Sequence, residues 1–376
     1  MQRLDVPYLL TLSLVPRLGK ATLHRILQKL QFKPQNFKEL CEVAQPFIKL
    51  SQDQLEAAFN QAEHILQEHK SAGITVIGID DPEFPQQLLT IANPPLLLYT
   101  KGNINCLKPQ RSVAVIGTRQ PTDYGRRMGI RIAKRFAEQG LIVVSGLAQG
   151  CDTAGHQGCL QGKGHTVAVL AHGLDKVYPS ENRELAKKIL DSDGCLVSEY
   201  PIGNKLFKNQ FVERDRIQSG LSSAVVIIET DIKGGTMHTA RFCLEQKRVL
   251  ACIDYKPEHR SEKSRGNEQL ISEGKAMSLK VSEDLKNFMD KVFKEFISTD
   301  QSLIQQQTDI FSVTNKDDNM TLNKNDLAKR LHVSPSTITT NMKKDHKSFQ
   351  EWSRKKDPEG HPWEYREDKK LFEIAF

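Results

Sequence analysis

The sequence is short of cysteine, and the seven residues it has stand apart. Cys41, Cys106, Cys151, Cys159, Cys195, Cys243 and Cys252 form no CxxC pair and no Cys/His ligand spacing. A disulfide framework and a structural zinc are therefore not expected, and a reducing cytoplasm suits the chain. Long apolar runs are also missing. No stretch approaches the roughly 20 apolar residues that span a bilayer. The apolar run over 6–15 is broken by Pro7 and lacks a small-residue cleavage site, so neither a membrane span nor a signal peptide is expected.

The fingerprints of familiar cofactors are absent too. Gly117 is not followed by GxxG and no GxxxxGK[ST] occurs, which disfavours NAD and ATP and leaves no cofactor to expect. No Ser-His-acid order, nucleophile elbow or paired-carboxylate spacing accompanies His156, His172 or His238, so these read as hydrogen-bonding or packing residues. Glu199, Glu213 and Glu229 follow strands or sit near them, and the sequence leaves open whether they collect at one place.

What is present is a chain of 376 residues, 38% hydrophobic and 26% charged, with a net charge of +7. That is apolar material for two or three cores, with a mild basic excess that permits an anionic partner. Residues 1–70 read as short helices around a Val15-Pro16-Arg17-Leu18-Gly19 turn, a module like a sterile-alpha or helix-hairpin-helix domain, with Arg17 where a glycine is usual. From residue 71 to 297 the texture is α/β. Apolar runs at 113–116, 141–144, 166–170, 195–197, 224–228 and 249–253 alternate with helical patterns, which predicts an extended Rossmann-like, doubly wound, mostly parallel sheet. Residues 255–285 are expected to wrap its edge. Residues 298–320 read as a polar linker and 321–376 as a winged helix-turn-helix-like domain. Its second helix would present Ser336, Thr337, Thr339 and Lys343 as an accessory DNA-binding face, and its hairpin would follow a turn at 357–360.

In an open α/β sheet, ligands bind beyond the carboxyl ends of the strands. The loops there carry Gly117-Thr118-Arg119, then Ser145-Gly146 through Asp152, then Lys233-Gly234-Gly235-Thr236. Glycines let backbone N–H groups turn to an anion, a following helix adds positive partial charge, and Arg119 offers a fork for phosphate. The stretch 204–216 interleaves Lys205, Lys208, Arg214 and Arg216 with Phe207 and Phe211, the mix that stacks bases and neutralises a strand's phosphates. Arg214 and Arg216 are expected near a helix start, where Glu213 and Asp215 are alternative partners for them.

In order along the chain, these motifs resemble the DNA-processing protein A (DprA/Smf) family. The resemblance runs over roughly residues 71–285. It rests on Asp80-Asp81-Pro82 with Pro94-Pro95, Gly117-Thr118-Arg119, Ser145-Gly146-Leu147-Ala148-Gln149-Gly150-Cys151-Asp152, Tyr178-Pro179 with Asn182, Ser198-Glu199-Tyr200-Pro201, and Gly266-Asn267. It implies a non-enzymatic, often homodimeric protein that binds single-stranded DNA and helps load RecA recombinase during natural transformation. It also implies that Arg119 contacts phosphate, that Lys208 and Phe211 serve backbone contact and stacking, and that Arg214 and Arg216 meet further phosphate. Gly117, Thr118, Gly146, Gly235 and Thr236 complete the expected cradle. Three departures stand out: Gln149 for the usual Arg, Asp215 for the usual Asn, and Gly234-Gly235-Thr236 for a Ser-Gly-Ser type of loop. The first two make the site less cationic. The Gly234-Gly235-Thr236 turn and the lost cation at Gln149 keep open an alternative, a nucleotide- or phosphoribosyl-ligand-binding enzyme or sensor on the same fold.

Overall fold

The computed structural model describes residues 4–16, 18–30, 33–47, 51–108, 111–280, 283–293, 321–343, 345–357, 363–366 and 371–374. By contacts the chain divides into a unit spanning Met1–Phe296 and another spanning Ile297–Phe376. The linker expected over 298–320, Arg17 of the N-terminal turn and residues 358–360 of the expected hairpin turn lie outside the described residues.

The first unit opens with four helices: α1 (Val6–Leu14), α2 (Lys20–Lys29), α3 (Phe37–Ala44) and α4 (Gln52–Ser71). The sequence suggests short helices here, yet α4 runs for 20 residues behind a capping box at Ser51 and Gln54. Leu9, Leu10 and Leu12 of α1 join Leu97, Leu98 and Leu196 in one apolar cluster. His69 ties α4 to the same region, since its Nε2 accepts from the Ile202 N–H at 2.9 Å while its ring lies 4.7 Å from that of Tyr99.

A nine-stranded sheet follows. Its strands are β1 (Thr75–Gly78), β2 (Leu97–Gly102), β3 (Ser112–Ile116), β4 (Ile142–Ser145), β5 (Thr166–Leu170), β6 (Cys195–Ser198), β7 (Ala224–Ile227), β8 (Val249–Ile253) and β9 (Met277–Leu279). They lie in the order β1-β2-β6-β5-β4-β3-β7-β8-β9. From β6 to β9 all pairings are parallel, and β1 and β2 add an antiparallel edge. Strands β3 to β8 are buried at every position, as parallel strands covered on both faces must be. Between them run α5 (Asp123–Glu138), α6 (Cys151–Gln161), α7 (Arg183–Asp191), α8 (Lys208–Gly220) and α9 (Thr236–Glu245). Helix α5 starts where the Thr122 hydroxyl accepts from the Gly125 N–H at 2.9 Å, and it buries Ile132, Ala133, Phe136 and Ala137 on one face.

The segment 255–285 does more than wrap the edge. It forms α10 (Arg265–Ser272) and then β9, a ninth strand beside β8. Three residues with charged flanks are too few for a periodic signal, so neighbouring strand pairing decided this element. Asn267 pins α10 in place: its Nδ2 donates to the carbonyls of Ile228 and Ile253 at 2.8 and 3.1 Å, and its Oδ1 accepts from the Thr230 N–H at 2.9 Å. A helix over 283–293, α11, then covers β3 and β4's side with Phe288 and Val292 in the second apolar cluster.

The second unit holds β10 (Thr321–Leu322), α12 (Lys324–Arg330), α13 (Pro335–Met342), α14 (His346–Lys356), β11 (Trp363–Arg366) and β12 (Leu371–Ile374), with the strands in the order β10-β12-β11. Helix α14 was not expected from the sequence. Its charged residues Lys347, Glu351, Arg354 and Lys355 hide a packing face on which Phe349 joins Leu327, Ile338, Trp363 and Phe372. Asp357 is buried between the Arg330 Nε, at 2.6 Å, and the Trp363 Nε1, at 2.8 Å.

A candidate anion and base cleft at the sheet's switch point

Strands β3 to β6 progress to one side of the sheet and β7 to β9 to the other, so the chain reverses direction between β3 and β7. At such a point adjacent loops part and leave a crevice. A cavity of about 400 Å³ lies there, lined by Thr118, Arg119, Phe211, Arg214, Gly235 and Thr236 among others. A smaller hollow of about 60 Å³ adjoins it, sharing Arg119, Ala148, Phe211 and Arg214 and adding Gly146, Gln149 and Tyr178.

The loop after β3 is fixed by backbone: the Thr118 N–H donates to the Glu229 carbonyl at 2.7 Å, and the Thr118 carbonyl accepts from the Cys151 N–H at 3.1 Å. Arg119 is thereby held at the rim, its guanidinium carbon 5.0 Å from the centre of the Phe211 ring. Tyr178, from the loop after β5, stands 6.0 Å from Phe211 on centroids and is 49% exposed. The sequence singled out Phe211, and Tyr178 entered only as a motif residue. An aromatic ahead of a proline in a strand-end loop was the available signal.

The loop after β4 is built around a buried carboxyl. Asp152 accepts from the Gly146 and Ala148 N–H groups at 3.2 and 3.3 Å, and Asn182 donates to the Leu147 carbonyl at 2.8 Å. The Gly146 N–H is thus spent inside the protein. Gly146 is required for a different reason: a Cβ there would fall 1.6 Å from the Arg214 Nη1. Gly150, at φ +80°, then turns the chain into α6.

Helix α8 begins at Lys208, where the Gln210 side chain accepts from the Phe207 N–H at 2.9 Å. Arg214 and Arg216 therefore lie in its middle rather than near its start. Arg214 is buried, donates from Nη1 to the Val169 carbonyl at 2.9 Å, and lies 3.2 Å from Asp215 through Nε. It forms the floor common to both hollows. Arg216 points elsewhere. Its Nη2 donates to both oxygens of Glu199, at 2.9 and 2.8 Å, and it lines neither hollow. Lys208 also lies outside the lining, exposed one turn before Phe211.

Burial pushes the Asp215 carboxyl up to about 6, against the pull of Arg214. Burial likewise raises Asp152. His156 is driven down to about 3 by burial and by Arg214, and its Nδ1 shares a 2.7 Å hydrogen bond with the Thr166 hydroxyl, a packing role. His172 is lowered by burial, with Nδ1 2.8 Å from the Gly173 carbonyl. His238 lines the larger cavity. The three glutamates do not gather: Glu229 binds the Thr122 N–H and hydroxyl at 2.7 and 2.6 Å, while Glu199 and Glu213 flank Arg216. Among the described residues no group of three or more His, Cys, Asp or Glu is arranged to hold a metal.

On the second unit, Ser336 and Thr337 hydroxyls lie 2.7 and 2.8 Å from that of Ser334, and Thr339 donates to the Pro335 carbonyl at 3.1 Å. Lys343 is exposed at the end of α13.

Residues 75–290 match the sequence profile of DNA recombination-mediator protein A. The chain is 38% identical to protein Smf of Synechocystis over 196 residues, 51% of this chain and 49% of that protein. It is 34% identical to DNA processing protein DprA of Bacillus subtilis over 201 residues, 54% of this chain and 67% of that one. The matched stretch thus spans about half to two thirds of the length of these relatives. Among solved structures, DNA processing protein A of Streptococcus pneumoniae superposes with a TM-score of 0.63 at 26% identity, covering 76% of this chain and 98% of that one. DNA processing protein A of Helicobacter pylori, whose structure was described for its single-stranded DNA binding mode, superposes at 0.52 with 28% identity over 59% of this chain and 96% of that one. The profile match encloses all nine strands of the sheet and every loop that lines the two hollows. This chain belongs to the DNA recombination-mediator protein A family.

Proposed function

We propose that this protein binds single-stranded DNA in the cleft between β3 and β7 and acts as a recombination mediator that loads RecA onto incoming strands during natural transformation. Arg119 and Arg214 meet phosphate, Gly117 and Thr118 hold the loop that presents Arg119, the Gly235-Thr236 loop offers backbone donors, and Phe211 with Tyr178 stacks bases. Lys208 adds a flanking cation, and Arg216 acts through Glu199 as a positioning residue. The observation that carries this reading is the cation of Arg119 set 5.0 Å over Phe211 on a cavity wall shared with Arg214. Aromatic faces beside fixed cations suit any base sequence. The protein works as a cytoplasmic homodimer and is not an enzyme. Support for a binding role comes from Asp152, which accepts from N–H groups of the loop after β4, and from the buried His156, whose Nδ1 is bonded to Thr166. No helix among the described residues is long and apolar enough to cross a membrane. The exposed face of α13, with Ser336, Thr337, Thr339 and Lys343, is an accessory DNA contact.

The experiment compares labelled oligo(dT), matched duplex and mononucleotides at low and physiological salt, with Arg119→Ala alongside. Salt-sensitive strand binding that exceeds duplex binding and is lost in Arg119→Ala is expected, as is faster RecA strand exchange. The second reading, a free nucleotide or phosphoribosyl ligand, draws on the 400 Å³ volume beside the Gly234-Gly235-Thr236 turn, which is the size of a small-ligand site. Saturable mononucleotide binding without strand affinity would establish it instead.

A further inference from the structure

Away from the cleft lining, Tyr124 and His259 stack with ring centroids 3.7 Å apart and planes 20° from parallel. The pair joins the first turn of α5 to the loop after β8, and both residues are half-buried. Tyr255 meets Tyr124 edge-on at 5.8 Å and is itself buried, its hydroxyl donating to the Ile228 carbonyl at 3.1 Å. The stack is therefore fixed on its Tyr255 side, while both of its rings stay partly exposed.

Cations surround it. Arg126, Arg127 and Lys256 are exposed and have no ion-pair partner among the described residues, and the Arg127 guanidinium lies 5.8 Å from the Tyr124 ring centre. Asp254 is already engaged by Arg260 at 3.5 Å and Lys280 at 3.1 Å. Asp123, Glu258 and Glu262 are the exposed acids of the same two segments, and Glu262 lies 3.5 Å from Arg265.

The stack also adjoins the cleft. Glu229, which holds Thr122 two residues before Tyr124, directly precedes the cavity-lining Thr230. The loop that carries His259 leads into α10, where the Gly266 N–H donates to the Thr230 carbonyl at 2.8 Å. Both segments that carry the stack are thus hydrogen-bonded to the 229–230 stretch at the cleft wall.

We infer that Tyr124 and His259 form a second base-stacking platform, with Arg126, Arg127 and Lys256 on the phosphates, for single-stranded nucleic acid emerging from the cleft. The inference rests on the single-strand reading above. Stacking on an aromatic face strengthens binding whatever the identity of the base, and each neutralised phosphate steepens the salt dependence. A platform beside the cleft would thus lengthen the bound strand without reading its sequence.

The full chain is titrated with oligo(dT) of about 6 nucleotides, sized for the cleft, and of about 20. His259→Ala, and separately Arg126→Glu with Lys256→Glu, should weaken the long strand about ten-fold and leave the short one unchanged. Retained short-strand affinity also reports an intact fold. Equal affinity of variants and parent on both lengths overturns the inference, as does a parent whose affinity does not rise with length. Equal loss on both lengths overturns it too, because the stack then only shapes the cleft. Arg119→Ala is measured in parallel. If it leaves both lengths unaffected, the cleft reading fails, while a length-dependent loss in His259→Ala still upholds the platform.

Discussion

Arg216 and Glu199 form a buried ion pair in which one guanidinium nitrogen reaches both carboxylate oxygens, at 2.9 and 2.8 Å, with both side chains about 5% exposed. The exposed Lys20 of α2 reaches the same carboxylate at 2.8 Å, so Glu199 also links the N-terminal helices to the end of β6. Removing one member leaves the other, buried, with only a half-exposed partner, Lys20 for Glu199 and Glu213 for Arg216. Arg216→Ala or Glu199→Gln should cost about 3–5 kcal/mol of stability, read as a shifted midpoint in urea unfolding. Lys20→Ala should cost under about 1 kcal/mol, since that cation is half in solvent.

Gly146 makes room for Arg214. With a methyl group 1.6 Å from Nη1, the guanidinium must leave its place beneath the cleft. Gly146→Ala should retain the sheet's circular dichroism and bind oligo(dT) at least about ten-fold more weakly, by loss of roughly one charged hydrogen bond to the ligand. Fluorescence anisotropy on parent and variant is the check, and unchanged affinity would remove Arg214 from the site.

Salt dependence separates Arg119 from the buried cations. Each phosphate neutralised on a single strand contributes a slope of about 0.7 in log K against log salt. Arg119→Ala should lower that slope by about this amount, whereas Arg119→Lys should keep the slope and lose the planar contact with Phe211. Titrations at several salt concentrations give both numbers.

Asp215 gives the cleft a pH response. Its ordinary value is 3.8 and burial lifts it to about 6 in the folded protein. Between those two values the folded state binds more protons than the unfolded one, so this group's contribution to stability falls as pH rises through the window. Above about 6 the carboxylate is charged and offsets Arg214. Strand affinity should accordingly be higher below that pH than above it. Asp215→Asn should flatten the affinity profile and raise affinity at neutral pH. A profile unchanged by the substitution would assign the response to another group.

Much of this fold was legible in the chain. Strands β3 to β8 are continuous apolar runs, and a strand buried on both faces needs little else to declare itself. The glycine-rich loops after β3, β4 and β7 marked the cleft for the same local reason. Where an element depended on its neighbours, the sequence was silent. The three residues of β9 owe their conformation to β8, and α14 shows its apolar face only once Phe349 has Trp363 and Phe372 to pack against.

Within the cleft the division is sharper. The interleaved cations and aromatics of 204–216 were plain in the sequence, but which arginine faces the ligand was not. Arg214 and Arg216 are two residues apart in α8, so they leave the helix about 200° apart and cannot share a face. Composition and spacing determined that cations, aromatics and glycine turns would meet at the ends of the parallel strands. Only the tertiary structure decided that Arg214 would take the floor beside Gly146 and Asp152 while Arg216 turned to Glu199, because Gly146 and Asp152 arrive from a loop 60 or more residues distant and Glu199 from the end of β6, and packing of α8 on the sheet sets which of its sides each one meets.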